Sequence, residues 1–443
     1  MKRQTIHVKA PDNWVNDPNG FIYYKGWYHL FYQYFPYAPR WGTMHWGHAV
    51  SRDLVHWEHQ KIALFPTKRA DQNGCFSGSA VEKDGRLYLA YTGVRYEKFN
   101  PEDIHECLEG HFESSQLMIT SEDGFQFDNW KDKRVIIPPV TEEQIGHRTH
   151  TRDPKMWRGE DAWYLIVGST YQEKEGKVLF YRSQDLEHWT LVNQSSKGPG
   201  YGWMWECPDY FKAGEEEVLL VSAIGLLQEG EGEQNHSICF PVRFEEKSCR
   251  MDIADAYQFL DYGLDLYAPQ TTLDEEGRRI LTAWLRMPEA VDDTWIGMFC
   301  APRVVEVKNG HVYFRMHPKI REAFSREILE KREAGPSGCL VSFELEDGEE
   351  LSIGGFLIGR KGQEIYTDRR GVFPQRKGAR MVSRTPEVKE GFRLEVLVDA
   401  NLIEVYINDG EYVISNAVYG LETEISGKLS GKVRILAVEE ETV

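Results

Sequence analysis

The chain has 443 residues, a formal net charge of −18 and a sequence pI near 5.3, with no basic run able to track phosphates, which argues against nucleic acid and membrane as partners. No apolar stretch approaches the ~18 residues of a membrane-spanning helix, while 13 Trp and 22 Tyr supply core material for one large domain and a smaller one. Seven cysteines (Cys75, Cys107, Cys207, Cys239, Cys249, Cys300, Cys339) are scattered and form no C-x-x-C pair, so they read as reduced thiols rather than a disulfide framework or a zinc site.

No apolar segment follows the charged start Met1-Lys2-Arg3, so the expected location is the cytoplasm. The first distinctive stretch is Trp14-Val15-Asn16-Asp17-Pro18-Asn19-Gly20. Taken alone, Asp17 to Gly20 reads as a type I turn leading into a strand, with Pro presetting φ and Gly at the fourth position. Aromatic and β-branched segments then recur at Trp27–Gln33, Arg86–Tyr91, Ala162–Val167, Val218–Ala223 and Arg279–Trp284, each after a turn rich in Gly, Asp or Glu. Their period of about 60 residues is that of a four-stranded blade with long loops.

A second repeat runs in step with the first. Ser51-Arg52-Asp53-Leu54-Val55-His56-Trp57 is echoed by Ser183-Gln184-Asp185-Leu186-Glu187-His188-Trp189 and more loosely by Ser121-Glu122-Asp123-Gly124-Phe125-Gln126-Phe127. Ser and Asp side chains closing a turn, with Trp returning into the sheet, would end each blade in the same way. The chain is therefore expected to be all-β, a five-bladed β-propeller over residues 1–317. Apolar positions three and four apart (Ile320, Ala323, Phe324, Ile328, Leu329) predict a short amphipathic helix as a connector over 318–336, ending near Ala334-Gly335-Pro336. Alternating segments from Leu340 to Ala437, with turns such as Asn408-Asp409-Gly410, predict a C-terminal β-sandwich over 337–443.

Just before each aromatic strand stands a shorter one that opens on polar residues: Asn16-Asp17, Phe76-Ser77-Gly78-Ser79, Arg152-Asp153-Pro154, Glu206-Cys207-Pro208-Asp209 and Asp265-Leu266-Tyr267-Ala268-Pro269-Gln270. In a propeller the first strand of each blade lines the central channel, so these positions converge at one mouth. Asp17, Asp153 and Glu206 would then share a site, which like-charge repulsion makes costly unless the acids are used. Carboxylates amid aromatic faces such as Trp41, Phe76 and Trp203, with no metal or cofactor motif, fit glycoside hydrolysis. One acid attacks the anomeric carbon and a second protonates the leaving oxygen.

The motifs W-V-N-D-P-N-G, H-W-G-H-A-V-S-x-D-L-V-H-W, F-S-G-S-A, R-D-P-K, W-E-C-P-D and D-L-Y-A-P-Q, in that order, resemble glycoside hydrolase family 32. That family comprises invertases, sucrose-6-phosphate hydrolases, levanases and inulinases. The resemblance implies a retaining β-fructofuranosidase with Asp17 as nucleophile, Glu206 as general acid/base and Asp153 as the transition-state stabiliser, with carboxyls of the first two about 5–5.5 Å apart. It also implies a fructosyl pocket lined by Asn16, Gln33, Trp41, Phe76, Ser77, Arg152 and Trp284, a small sugar as the partner, and neither cofactor nor metal. Val15 replaces the family's common Met. Thr151 stands where an aromatic is usual and is expected to loosen one pocket wall. The tail segment Val398–Ile403 lacks the usual Arg-Ser.

Three features lie outside that assignment. His147 and His150 have metal-ligand spacing but no Cys partner, and read as a solvated or supporting pair. The acidic run Pro101–Gly110 reads as a solvated loop, or a lip over the leaving-group subsite. Arg40, Lys68, Arg69, Arg95 and Lys98 are the candidate cations for a phosphorylated substrate, while sucrose and short fructo-oligosaccharides remain open as alternatives. A fructosyltransferase would share the fructosyl-enzyme and differ in its acceptor. A non-catalytic sugar-binding propeller would lack at least one of the three acids, and all three are present.

Overall fold

The computed structural model describes residues 4–228, 232–328, 338–374, 379–422 and 424–438, and these are mostly β-strand. Five sheets, antiparallel except where Asn13–Tyr24 also pairs in parallel with Trp295–Ile296, are built on the initial strands β1 (Asn13–Tyr24), β2 (Cys75–Lys83), β3 (Arg152–Arg158), β4 (Tyr201–Ala213) and β5 (Leu266–Leu273). Each pairs with the aromatic segment that follows it in the chain. β1 touches β2, β2 touches β3, and so on through β5, which returns to β1, so the five initial strands close a ring. Two further sheets, of six and five strands, follow from Phe324 onward.

The S-x-D repeat behaves as its sequence requires. Ser51 Oγ accepts from the Leu54 amide, Asp53 Oδ1 accepts from the Val55 and His56 amides, and the Trp57 indole donates to the Leu54 carbonyl. The same set recurs at Ser183, Asp185 and Trp189. Leu54 and Leu186 hold φ of 64° and 74° there, and Gly124 takes the equivalent left-handed position in the looser third copy.

All five initial strands slip register at the polar motif. The breaks fall between Val15 and Pro18, Cys75 and Gly78, Arg152 and Lys155, Glu206 and Asp209, and Tyr267 and Gln270. Four contain a proline (Pro18, Pro154, Pro208, Pro269), which has no N–H to give the ladder. The other uses Gly78, where a Cβ would lie 2.0 Å from the Ala90 carbonyl oxygen. The Asp17–Gly20 stretch is thus not a turn before a strand. It lies inside β1, because pairing with Trp27–Phe35 satisfies its backbone and the break absorbs Pro18.

The connector also departs from expectation. Helix α1 covers only Pro318–Ala323, with the His317 side chain accepting from the Lys319 amide at its N-terminus. Phe324–Glu327 is a strand paired with Arg434–Val438, so Phe324 and Ile328 are buried among C-terminal strands instead of extending the helix face. Available edge hydrogen bonds and apolar burial outweigh a weak helical periodicity. The expected helix end at residues 334–336 lies outside the described residues.

The fifth sheet and the six-stranded C-terminal sheet share one apolar core, in which Leu281, Leu285, Val305 and Phe314 meet Leu397, Leu402, Tyr406 and Val413. At its margin lies a buried charge cluster. Arg303 donates to Glu404 (2.6 Å) and Asp261 (2.9 Å), and His7 contacts Glu404 through Nε2 (2.7 Å) and Asp399 through Nδ1 (2.9 Å). Both ring nitrogens of His7 face carboxylates, so the ring is an imidazolium. Burial alone would lower its pKa, but the bonds to Asp399 and Glu404 outweigh that and raise it to about 9. Burial pushes Glu404 up, and the Arg303 and His7 charges more than reverse this, holding it at about 2.

The cluster's contribution to stability follows from these directions. The His7 part is complete below its ordinary value of 6.5 and is lost as pH rises through about 9; the Glu404 part is complete above 4.5 and is lost as pH falls through about 2. Thermal unfolding of the wild type should therefore lose stability between pH 7 and 10 more steeply than His7→Gln. Glu404→Gln should cost about 3 kcal/mol by leaving buried cations short of charge. Parallel wild-type and His7→Gln curves over that range would refute this role for His7.

Candidate functional site

At the mouth of the ring the five register breaks bring side chains from different sheets into hydrogen-bonding range. Asp17 Oδ2 accepts from Ser77 Oγ (2.6 Å) and Oδ1 from Asn16 Nδ2 (3.1 Å), while Asn16 is itself fixed by the Trp14 indole (2.8 Å). Glu206 is held from two sides: Oε1 accepts from Arg152 Nη2 (2.8 Å) and Nε (3.2 Å), and Oε2 from the Tyr267 hydroxyl (2.8 Å). Asp153 Oδ2 accepts from the Cys207 amide (3.0 Å), and the Asp153 amide donates to Thr92 Oγ1 (2.9 Å). The Cys207 thiol lies 3.5 Å from both Asp17 Oδ2 and Asp153 Oδ2, so it separates the two aspartates.

Three non-glycine residues at these breaks, Asp153, Cys207 and Ala268, have φ of 71°, 45° and 50°. Such backbone is strained by of order 1–3 kcal/mol per residue and persists where surrounding structure fixes it. Its effect here is to turn Asp153 away from the strand's alternation and its neighbour Cys207 between two carboxylates.

Gathering these acids shifts them. Burial raises the Asp17 pKa above its ordinary value, hydrogen bonds from Ser77 and Asn16 oppose the shift, and the nearby Glu206 charge adds to it. Asp153 rises to about 7, chiefly by burial, with Arg152 opposing and the Glu206 and Asp17 charges reinforcing. Burial, with Asp153, Asp17 and Glu206 around it, drives the Cys207 thiol well up, so it is a neutral spacer and not a nucleophile. Below the acids, Gln270 accepts from the Phe21 amide (2.8 Å) and donates to the Gly78 carbonyl (2.8 Å), and Lys155 pairs with Asp209 (2.9 Å).

Aromatic rings continue the wall. Trp41 meets Phe76 edge-on at 5.8 Å, Phe76 meets Phe112 at 6.0 Å, Phe112 meets His150 at 6.4 Å, and His150 meets Trp203 at 5.2 Å. Trp284 packs 6.0 Å from Trp14, and its indole N–H has no partner among the described residues. Gln33 is 2% exposed and donates to the Cys75 carbonyl (3.0 Å), bracing Phe76 and Ser77 from behind. Thr151, where the family resemblance led one to expect an aromatic, is 1% exposed and its hydroxyl donates to the His147 carbonyl (2.7 Å).

Tyr267 is the residue at the site to which the sequence assigned no role, and His150, read from the sequence as one of a solvated or supporting pair, stands beside it in a supporting place. Tyr267 stands in the fifth polar motif, at the unit position of the three acids, and that was the signal available. His150 Nδ1 accepts from Arg152 Nη1 (3.0 Å) and so reaches Glu206 through the guanidinium. The Nε2 atoms of His147 and His150 lie 3.5 and 3.4 Å from Glu173 Oε1, and these three groups offer ligand atoms within 4.8 Å of one another. Both Nδ1 atoms accept hydrogen bonds, from the Thr149 and His150 amides and from Arg152. That places the protons on Nε2 and suits hydrogen bonding to Glu173 better than metal ligation.

The acidic loop is tied to the first sheet by Asp103 (2.7 Å) and Glu106 (3.6 Å) on Arg40, and closed on itself by Glu109 on Lys98. Arg95 is held by Glu113 (2.5 Å), and Lys68 donates to the Trp130 carbonyl (2.6 Å). Of the five cations expected to face a phosphate, three are thus neutralised by carboxylates within the protein.

The family model for the Glycosyl hydrolases family 32 N-terminal domain matches residues 7–318, and that for the family's C-terminal domain matches residues 322–437. The sucrose-6-phosphate hydrolase of Bacillus subtilis (strain 168) is 33% identical over 97% of this chain and 92% of its own. The raffinose invertase of Escherichia coli is 33% identical over 94% of this chain and 89% of its own. Among solved structures, the GH32 β-fructofuranosidase of Bombyx mori superposes with a TM-score of 0.84 at 28% identity, covering 98% of this chain and 93% of that one. The chain belongs to glycosyl hydrolases family 32.

Proposed function

We propose that this chain is a retaining β-fructofuranosidase acting on sucrose-type substrates, with its five N-terminal sheets as the blades of a five-bladed propeller and its two C-terminal sheets as a β-sandwich. The observation that carries the reading is the geometry of the acids. Asp17 is oriented by Ser77 and Asn16 with no cation on it among the described residues, whereas Glu206 is gripped by Arg152 and Tyr267 within reach of the same space. The names of relatives support the substrate class: sucrose-6-phosphate hydrolases, a raffinose invertase, and a Bombyx mori β-fructofuranosidase mutant in complex with sucrose.

In the first step Asp17 attacks the anomeric carbon of the fructosyl unit while Glu206 gives its proton to the glycosidic oxygen, releasing the aglycone. In the second, Glu206 takes a proton from water, which attacks the fructosyl-enzyme and frees Asp17. Asp153 accepts hydrogen bonds from ring hydroxyls, and Trp41, Phe76 and Trp284 cover the apolar sugar faces.

Asp17→Asn should lower kcat on sucrose by about a thousandfold or more while sugar binding persists, and Glu206→Gln by about 100- to 10,000-fold. With methanol as acceptor, the product should be the β-methyl fructofuranoside; the α-anomer would overturn retention. Asp17 must be ionised to attack, and its pKa is raised above the ordinary 3.8, so kcat/KM should fall on acidification at a higher pH than an unperturbed aspartate gives. Ser77→Ala removes a hydrogen bond that holds this pKa down, and should move the acid limb to still higher pH. An acid limb that is unmoved in Ser77→Ala would separate Asp17 from the titrating group.

A further inference from the structure

Arg152 grips Glu206 in a one-sided way. Its Nε (3.2 Å) and Nη2 (2.8 Å) both donate to a single oxygen, Oε1, which leaves Nη1 to find another acceptor. Glu206 and Asp153 both act on the guanidinium charge. A long side chain with an unspent donor is free to turn toward whichever carboxylate is nearest. In this chain the donor is spent elsewhere, on Nδ1 of His150 (3.0 Å).

His150 is held in place for that contact. The two residues before it are pinned to the strand Phe112–Ser121 of the second sheet: the Arg148 carbonyl accepts from the Ser114 amide (3.1 Å), the Thr149 carbonyl accepts from Ser114 Oγ (2.7 Å), and Thr149 Oγ1 donates to the Phe112 carbonyl (2.7 Å). The imidazole meets Phe112 and Trp203 edge-on and stacks on His147, with 4.8 Å between centroids. Its Nε2 lies 3.4 Å from the Glu173 carboxylate, which a tight turn through Gln172 and Glu173 (φ of 51° and 53°) presents to the ring. A guanidinium has only donors, so the His150 proton is confined to Nε2, the nitrogen beside Glu173. Burial, with Arg152 and His147 beside it, holds the His150 pKa down at about 3, so the ring accepts without carrying charge. A carboxylate in its place would compete with Glu206 for the guanidinium charge.

We propose that His150 is a positioning residue for the general acid/base: by accepting from Arg152 Nη1 it fixes the guanidinium plane, and so confines Glu206 to the orientation in which Oε1 takes both Arg152 donors and Oε2 exchanges the proton with the leaving group. The inference rests on the fructofuranosidase reading and deepens it. Oε2 has room for that proton, because the Tyr267 hydroxyl that donates to it (2.8 Å) has a second acceptor in the Ser222 carbonyl (3.3 Å). An Arg152 free to turn leaves neither oxygen committed, and the loss falls on the step that needs a proton donor.

The test separates that step from the rest of the site. A sugar alkoxide leaving sucrose needs the proton of Glu206, whereas p-nitrophenolate leaves an aryl β-D-fructofuranoside without it; both substrates need Asp17 and the same fructosyl pocket. His150→Leu should lower kcat/KM on sucrose by about 10- to 100-fold, and on p-nitrophenyl β-D-fructofuranoside by less than about threefold. His150→Asn, whose side-chain carbonyl can sit where Nδ1 does, should recover most of the sucrose activity. Equal losses on the two substrates in His150→Leu, unchanged rates on both, or no recovery in His150→Asn would overturn the proposal. A second measurement does not depend on turnover or on the folding of His150→Leu. In wild-type protein carrying nitrogen-15-labelled histidine, with His150→Asn identifying the signals, Nδ1 of His150 should be unprotonated and Nε2 protonated at neutral pH. A proton on Nδ1 would overturn the proposal whatever the kinetics show. Release of fructose from neither substrate by the wild type would instead overturn the enzyme reading, and the nitrogen signals would still decide whether His150 accepts from Arg152.

Discussion

The site depends on one backbone device, a register break repeated in five strands. Proline supplies it four times by withholding an N–H, and Gly78 supplies it once by allowing close approach to Ala90. A regular strand would send alternate side chains to the two faces of each sheet, where a carboxylate meets either the apolar core between sheets or nothing. The break moves one residue per sheet out of that alternation at a common height. Function here is a product of where the ladders fail.

Bringing acids together creates a desolvation problem, and the solutions differ by residue. Glu206 has a cation and a phenol, Asp17 has only neutral donors, and Asp153 has a backbone amide with Arg152 nearby. This asymmetry matters more than the number of acids, since three equivalent carboxylates would only share protons. Cys207 holds two of them apart with a group that stays uncharged, where a serine hydroxyl would make a shorter, stronger bond to one of them.

Much of this was legible in the sequence, for definite reasons. The ~60-residue period and the S-x-D-L-x-H-W frame report local hydrogen bonding that the same residues make in each copy, so the repeat could be read without coordinates. The acids were legible because Asp17, Asp153 and Glu206 occupy the same place in that period. The reading failed where local propensity met tertiary pairing. Asp-Pro-Asn-Gly has every mark of a turn but is pulled into β1 by its neighbour, and Phe324 belongs to a strand whose partner lies more than a hundred residues further on. Pairings between loops were likewise invisible, so the rim cations could be named but not their acidic partners.

The same coupling changes how the C-terminal sheets should be regarded. By sequence they are remote from the chemistry, yet strand β5 begins against them: Asp265 accepts from the Ala417 amide (2.9 Å) and pairs with Arg369, and two residues later Tyr267 holds Glu206. Arg286 bridges the two by stacking on Tyr267 while bonding the carbonyls of Leu264 and Asp265. A strand anchored at one end to a packed sheet holds the side chains beside that anchor within a narrower range than a strand tethered by a loop, because its first residues have no freedom left to lose. Glu206 is therefore positioned from two directions, by Arg152 on β3 and, through Tyr267, by the C-terminal sheets. That gives the second group of sheets a reason to be fused to the ring and buried against it through a shared core, instead of being joined by a flexible linker.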